Sequence, residues 1–441
     1  MKSLCLCLSA GLSAVPLLVS SFETHEHIQI GNNVKLPSGA SGGDTVFTFE
    51  NGNAQLNYGD VVALAGDFYA IPDKPISDAT DTVQAFKNVF RTLVAEPDTV
   101  VKPDPGFAPS RLYKYQSRVI IHGPMETVES VLQEVKDKGE QPSAAYDLLG
   151  ASLDQRWNKI TGGGSDHSGW YPEGRYLLGA ENNWDHFTFD GRAWTSYSAG
   201  HRLALEAAER VFQSRAGNFS NLNPQEDLSP FMHEAFAQHF LTDMFSSGHM
   251  RTPRKKFHET VSPSQLGDYL SKYMHDEDCK FGLNVTNKRG DRWTAYGDRK
   301  YLDDVNAAAR AIIKECVQAA VDEVAGVMAT GRVGGTLVSD LSADEYAAAR
   351  YVPIVDEDAS FTPMFKWDGS QLLRRKDLRN LRDTHFKKHG GAYGWWPGTT
   401  VYQLGKIYGG AWDLPPMPNS TLNNSLEVER RWRLQQELNH A

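Results

Sequence analysis

The segment His239-Phe240-Leu241-Thr242-Asp243-Met244-Phe245-Ser246-Ser247-Gly248-His249 joins a helical pattern to a metal-ligand pattern. The preceding residues, from Leu228 to Met244, place apolar side chains at helical spacing. On a helix, positions four apart share a face, so His239 and Asp243 can grip one ion together. Ser246-Ser247-Gly248 then breaks the helix and lets His249 fold back towards the same place. Imidazole nitrogen with carboxylate oxygen is a donor mixture that suits zinc, and one bridging carboxylate can hold two ions. His233-Glu234 does not turn this into the H-E-x-x-H motif. His239 comes two residues too late, so the two histidines point to different helix faces.

Outward from this helix the pattern stays helical. Tyr58 to Tyr69, Met125 to Lys138 and His201 to Ser214 read as helices, and an Ala-rich helix runs from Leu302 to Met328 and stops at Gly331. Val46-Phe47-Thr48-Phe49 is a candidate short strand. Long helices with few strands predict a mainly α fold. Beyond Gly335 the pattern weakens into charge runs and an aromatic, Gly-rich patch at 390–398. The expected organisation is a helical catalytic domain at about 22–330 and a loop-rich C-terminal extension, 331–441, packed on it.

The N-terminus resembles an export signal. Met1-Lys2 is followed by an apolar run from Leu4 to Leu18, with small residues at Val19-Ser20-Ser21, which predicts cleavage before Phe22 and a secreted protein. Sequons at Asn218, Asn284, Asn419 and Asn423 fit glycosylation in that route. Cys5 and Cys7 leave with the signal, so Cys279 and Cys316 remain, either as a disulfide or as two buried thiols. The formal net charge of −10 argues against nucleic acid as a partner. No obligate protein partner is evident.

The string HFLTDMFSSGHMRTPR, His239 to Arg254, resembles the central motif of zinc-dependent phospholipases C and the related single-strand nucleases. It is most similar to secreted bacterial and fungal enzymes that hydrolyse phosphatidylcholine. Asn182-Asn183-Trp184-Asp185-His186-Phe187 resembles the family's asparagine-rich turn before a zinc-binding histidine. Ala65-Gly66-Asp67-Phe68 and Tyr58-Gly59-Asp60 resemble the segment that supplies an aspartate, with Asp67 favoured and Asp60 the alternative.

The resemblance implies a phospholipase C/nuclease-like helical domain that holds three zinc ions, at least two. It assigns as ligands the amino group of Phe22, and His25, Asp67, His186, His239, Asp243, His249, His275 and a nearby acid. Relatives place that acid four residues after the histidine, where this chain has Cys279. Helical spacing favours Asp278 over Glu277 as its replacement. Asp67 would also orient the attacking water as base, and Phe68 would contact choline. The expected activity is hydrolysis of phosphatidylcholine to diacylglycerol and phosphocholine, with transient contact to a membrane surface. A nuclease and a non-catalytic metal-binding protein of the same fold are the alternatives.

Overall fold

The computed structural model describes residues 23–48, 55–71, 73–94, 100–101, 113–114, 117–149, 152–161, 176, 179–180, 182–215 and 224–408. The expected signal segment, Phe22 and the sequons at Asn218, Asn419 and Asn423 lie outside these residues.

The described chain is mainly helical, as expected. Its principal helices are α1 (Thr24–Asn32), α2 (Tyr58–Tyr69), α3 (Thr82–Val94), α4 (Ser117–Asp137), α5 (Arg192–Arg215), α6 (Pro224–Asp243), α7 (Ser264–Phe281), α8 (Ala307–Thr330) and α9 (Pro397–Tyr408). Helix α6 is the central member and packs against α2, α5 and α8, while α1 lies on α2. From Glu234 to Met250 every residue is buried. Each polar side chain in that run therefore needs an internal partner. Gln238 meets this need at Nε2, which donates to Glu234 Oε1 (3.1 Å) and to the Val317 carbonyl of α8 (3.0 Å), but its Oε1 is buried without a hydrogen bond.

Local chemistry fixes the helix ends. Asn57 Oδ1 accepts from the Asp60 amide (2.8 Å) and Asp60 Oδ2 accepts from the Asn57 amide (3.0 Å), a capping box that starts α2. That use occupies one oxygen of Asp60, the alternative to Asp67, and among the described residues it is Asp67 that groups with histidines at ligand distance. At the other end of the core, Gly331 (φ +70°) ends α8 in the left-handed conformation, and its amide donates to Val327 O.

Strands are short. β1 (Val46–Thr48) and β2 (Gln55–Asn57) form a hairpin that leads into α2. β3 (Leu283–Thr286) pairs antiparallel with β4 (Arg292–Ala295) and β5 (Ile354–Val355). β6 (Phe365–Trp367), β7 (Leu372–Arg375) and β8 (Phe386–Lys387) form a third small sheet.

Two large apolar cores organise these pieces, with a small third cluster at Val135, Ala144 and Ala145. The larger runs from α1 to Tyr351 and takes in Val338, Tyr346 and Ala348 from beyond α8. The second is shared: Phe257, Leu266, Leu270, Tyr273 and Met274 meet Met364, Phe365, Leu372, Trp395, Leu404 and Tyr408. Helix α7 is thereby clamped between the first core and the C-terminal segment. A buried ion pair reinforces the clamp. Arg375 of β7 binds Glu277 of α7 through two hydrogen bonds (3.0 and 2.8 Å), and the Tyr408 hydroxyl donates to the same carboxylate (2.8 Å). Glu277 is thus a structural anchor.

Cys279 and Cys316 are both buried free thiols, so the disulfide alternative does not hold. Asn284, the one described sequon, uses its amide within β3. Its Nδ2 donates to Ala359 O (2.5 Å) and its Oδ1 accepts from Thr294 (2.9 Å).

His201 of α5 joins α5, α6 and α8, with Nδ1 at 2.6 Å from Glu234 and Nε2 at 3.0 Å from Glu323. Burial alone would favour the neutral ring, but the two carboxylates outweigh it and lift its pKa to about 9. A raised folded-state value stabilises fully below the unfolded value and is lost as pH climbs through the folded one. Stability should therefore fall between pH 6.5 and about 9, by on the order of 3 kcal/mol. His201→Gln should flatten the urea midpoint across that range; an unchanged pH profile would refute the triad's role.

Candidate metal centre

Several structural choices bring five imidazoles and three carboxylates together beneath α2. His239 sits on α6 with Asp243 one turn on, and α2 crosses over them. A side chain on Gly66 of α2 would collide with the His186 and His239 rings, so glycine is required for that approach. Asp185 accepts from the amides of Ile76 (2.6 Å) and Ser77 (2.8 Å), which fixes the turn carrying His186. Helix α6 ends at Asp243, and after a turn at Met244-Phe245 a short helix, Ser247–Met250, returns His249 to the cluster. Gly248 lies under His275 and Cys279, where a Cβ would not fit.

The result is three donor groups, each with ligand atoms within 4.8 Å of one another: His27, His239 and Asp243; Asp67, His186 and His239; and His249, His275 and Asp298. His186 Nδ1 lies 2.6 Å from Asp243 Oδ2, and His239 Nε2 lies 3.5 Å from the same oxygen and 3.9 Å from Asp67 Oδ1. On the other side His27 Nε2 is 3.2 Å from Asp243 Oδ1, with the His27 and His239 rings stacked at 4.3 Å. The last group is joined to these by His249, whose ring centroid is 6.3 Å from that of His186 and 5.0 Å from that of His275.

Hydrogen bonds outside the cluster set the tautomers. His239 Nδ1 donates to the Val62 carbonyl (2.8 Å) and His249 Nδ1 to the His186 carbonyl (2.9 Å). His275 Nδ1 donates to Asp276 (3.0 Å), itself held by Lys272 (2.9 Å). His27 Nδ1 meets the Thr242 hydroxyl (3.0 Å), which donates its own proton to Gln238 O (2.7 Å) and so accepts from the ring. Three of these rings, His239, His249 and His27, thus turn an Nε2 lone pair inward, while His275 meets a carboxylate at each nitrogen, Asp276 at Nδ1 and Asp298 at Nε2 (3.0 Å). This outer fixing of the ligand histidines is what a metal site requires. Two carboxylate oxygens in the cluster, Asp243 Oδ1 and Asp298 Oδ2, are buried without a hydrogen bond. Lone pairs facing lone pairs are costly in a dry interior and become favourable around a cation.

Electrostatics divide the cluster. Against burial, Asp243 raises the pKa of His186, and Cys279 and Asp298 raise that of His275 well above the usual histidine value. A metal ion there must displace protons. Against the burial that would raise it, the His239 and His186 rings hold Asp243 well below the usual carboxylate range. Burial pushes His239 far down and His249 down, which leaves both as neutral donors. Burial raises Asp67 to about 7, with His186 and His27 opposing. Asp67 is 11% exposed while His27, His239 and Asp243 show no exposed side-chain surface.

Asp67, His186, His239, Asp243, His249 and His275 are therefore brought together, and two expectations about their companions are corrected. His25 is two residues from His27 on α1 and faces elsewhere, with Nε2 against Gln29 (3.4 Å) and a pKa lowered to about 4 by burial. His27 takes the inward position. Asp278 is turned away and bound by Arg251 through Nε (3.1 Å) and Nη2 (2.8 Å). One full turn from His275 stands Cys279, whose Sγ is 3.7 Å from Nε2 of that ring. The carboxylate comes instead from Asp298, with Oδ2 at 3.0 Å from His275 Nε2. Glu26 of α1 positions Asp298 by accepting from the amides of Arg299 (3.0 Å) and Tyr301 (2.8 Å), and Ser246 binds its Oδ1 (2.6 Å). Only the Gly297-Asp298 pair hints at this in sequence, since a Cβ at Gly297 would run into Cys279.

Phe68 is 1% exposed and packs on Trp157 and Tyr176, with ring centroids at 5.7 and 5.0 Å. In the described structure it is a core aromatic. Asp298→Asn should lower bound metal, whereas Asp278→Asn should lower stability and leave metal content unchanged. The reverse pattern in metal analysis would restore Asp278 to the site.

Fold and site together define a mainly helical protein with a buried histidine–aspartate centre whose donors suit a metal ion. Comparison with protein-family models, curated proteins and solved structures finds no match.

Proposed function

We propose that the protein is a secreted zinc-dependent phosphodiesterase that hydrolyses phosphatidylcholine to diacylglycerol and phosphocholine. The observation that carries the reading is the set of histidines whose Nδ1 atoms are tied outside the cluster, facing carboxylate oxygens that lack hydrogen bonds. A donor set of imidazoles and carboxylates without a cysteine thiolate suits zinc in a hydrolytic site, and three contiguous groups suit two or three ions. Zinc there supplies Lewis-acid polarisation of the phosphoryl group and activation of water. The sequence resemblance around His239 supplies the substrate class.

The protein's own residues have separable tasks. Asp243 bridges the groups, because one oxygen faces His27 and the other faces His186 and His239. Asp67 is the partly exposed carboxylate and would orient and deprotonate attacking water. His249, His275 and Asp298 form the far end of the centre.

The test is release of phosphocholine from phosphatidylcholine, with single-stranded DNA as the competing substrate and chelator in parallel. Chelator-sensitive phosphocholine release supports the reading. Cleavage of DNA alone assigns the nuclease alternative, and metal binding with neither activity assigns a non-catalytic protein. Release of free choline, or full activity after metal removal, would overturn the proposal.

A further inference from the structure

Arg374 and Arg375 are neighbours on β7, both buried, yet their surroundings differ. Arg375 has the Glu277 carboxylate. Arg374, 5% exposed, has only neutral oxygens: its Nη1 donates to Thr400 Oγ1 (3.1 Å) and Gln403 Oε1 (2.8 Å). Its Nε is buried with no hydrogen-bond partner. A guanidinium cannot shed its charge in a protein, so a buried one without a counter-ion is costly unless an anion arrives.

The side chain borders a cleft of about 350 Å³ between β7, β8 and α9. Lys376, Arg379, Lys387 and Lys406 line the same cleft, with Asp377 the sole acid among the lining residues. Asp377 Oδ1 is turned to the Arg379 amide (2.9 Å), and Lys406 lies over the Tyr402 ring (4.5 Å). Five cations converge here on a chain whose net charge is −10. Long-range charge therefore does not explain the cluster.

We infer that this cleft is a binding site for a phosphate group, with Arg374 as its buried floor and the four other cations as its walls. A planar guanidinium recognises phosphate through paired N–H donors, and the lysines add point charges around it. The inference is independent of the reading of the buried metal centre, since it uses no residue of that cluster. The shared chemistry is a phosphoryl oxyanion, borne by a soluble ligand or by an anionic lipid headgroup.

Titration calorimetry of the full chain with inorganic phosphate at fixed ionic strength tests one source. Co-sedimentation with phosphatidylcholine vesicles, with and without phosphatidate, tests the other. Lys387→Ala/Lys406→Ala changes the cleft rim only, and should weaken the observed binding roughly tenfold. Arg374→Gln should weaken it further; should that variant not fold, the double variant decides. Uptake of phosphate that weakens in the variants assigns a soluble phosphorylated ligand. Retention only by phosphatidate vesicles, lost in the variants, assigns a headgroup. Binding unchanged in the variants, or no binding to either probe, would overturn the site.

Discussion

Asp243→Asn is expected to strip metal from the protein and to lower phosphodiesterase activity by roughly a hundredfold or more. Its carboxylate faces histidines of two donor groups, with His27 on Oδ1 and His186 and His239 on Oδ2. The amide keeps the shape but removes the charge that two cations would share. Folding should survive, because Asn fits the end of α6 and the surrounding apolar core is untouched. His233→Gln is the internal control. His233 lies off the ligand face, bonded to Ser229 O (2.9 Å) and packed on Phe90 at 4.4 Å. Metal content is read by elemental analysis and activity by phosphocholine release. Normal values for both in Asp243→Asn would remove Asp243 from the centre.

Glu277→Gln is expected to cost about 3 kcal/mol of stability, since it leaves the Arg375 charge buried beside a neutral amide. Both partners have fully buried side chains, and Tyr408 loses its carboxylate acceptor as well. The damage should fall on the second core, where β6, β7 and α9 meet α7. Glu357→Gln makes a useful contrast, because Glu357 is 56% exposed where it meets Arg251. An exposed pair contributes under about 1 kcal/mol. Urea midpoints compared at constant slope give both numbers, and a loss below 1 kcal/mol for Glu277→Gln would contradict the anchoring role.

Much of the fold could be read from spacing. Helix α2 runs from Tyr58 to Tyr69 as its apolar pattern predicts, and α8 stops at Gly331, where a left-handed residue is needed. The centre was legible where ligands lie close together in sequence: His239 and Asp243 share a helix face. The chain does turn back to His249, although the helix stops at Asp243 and Ser247-Gly248 belong to a short helix rather than to the break. It was not legible where tertiary contacts choose the ligand. His25 and His27 look alike in sequence, and only the packing of α1 on α2 and α6 decides which faces Asp243. Asp298 belongs to a loop whose place is set by Glu26, far away in the chain. Helical spacing correctly excluded Glu277 but chose Asp278, whose carboxylate answers the buried charge of Arg251 instead. A spacing rule cannot see that competing partner.

The central claim is that this cluster of histidines and aspartates holds catalytic zinc. The most direct measurement is elemental analysis of the purified wild-type protein, with phosphocholine release followed through chelation and restoration. The account predicts two or three zinc ions per chain, loss of activity in step with their removal, and recovery when zinc is returned. A protein that carries no metal, or one that hydrolyses phosphatidylcholine at full rate without it, would contradict the account.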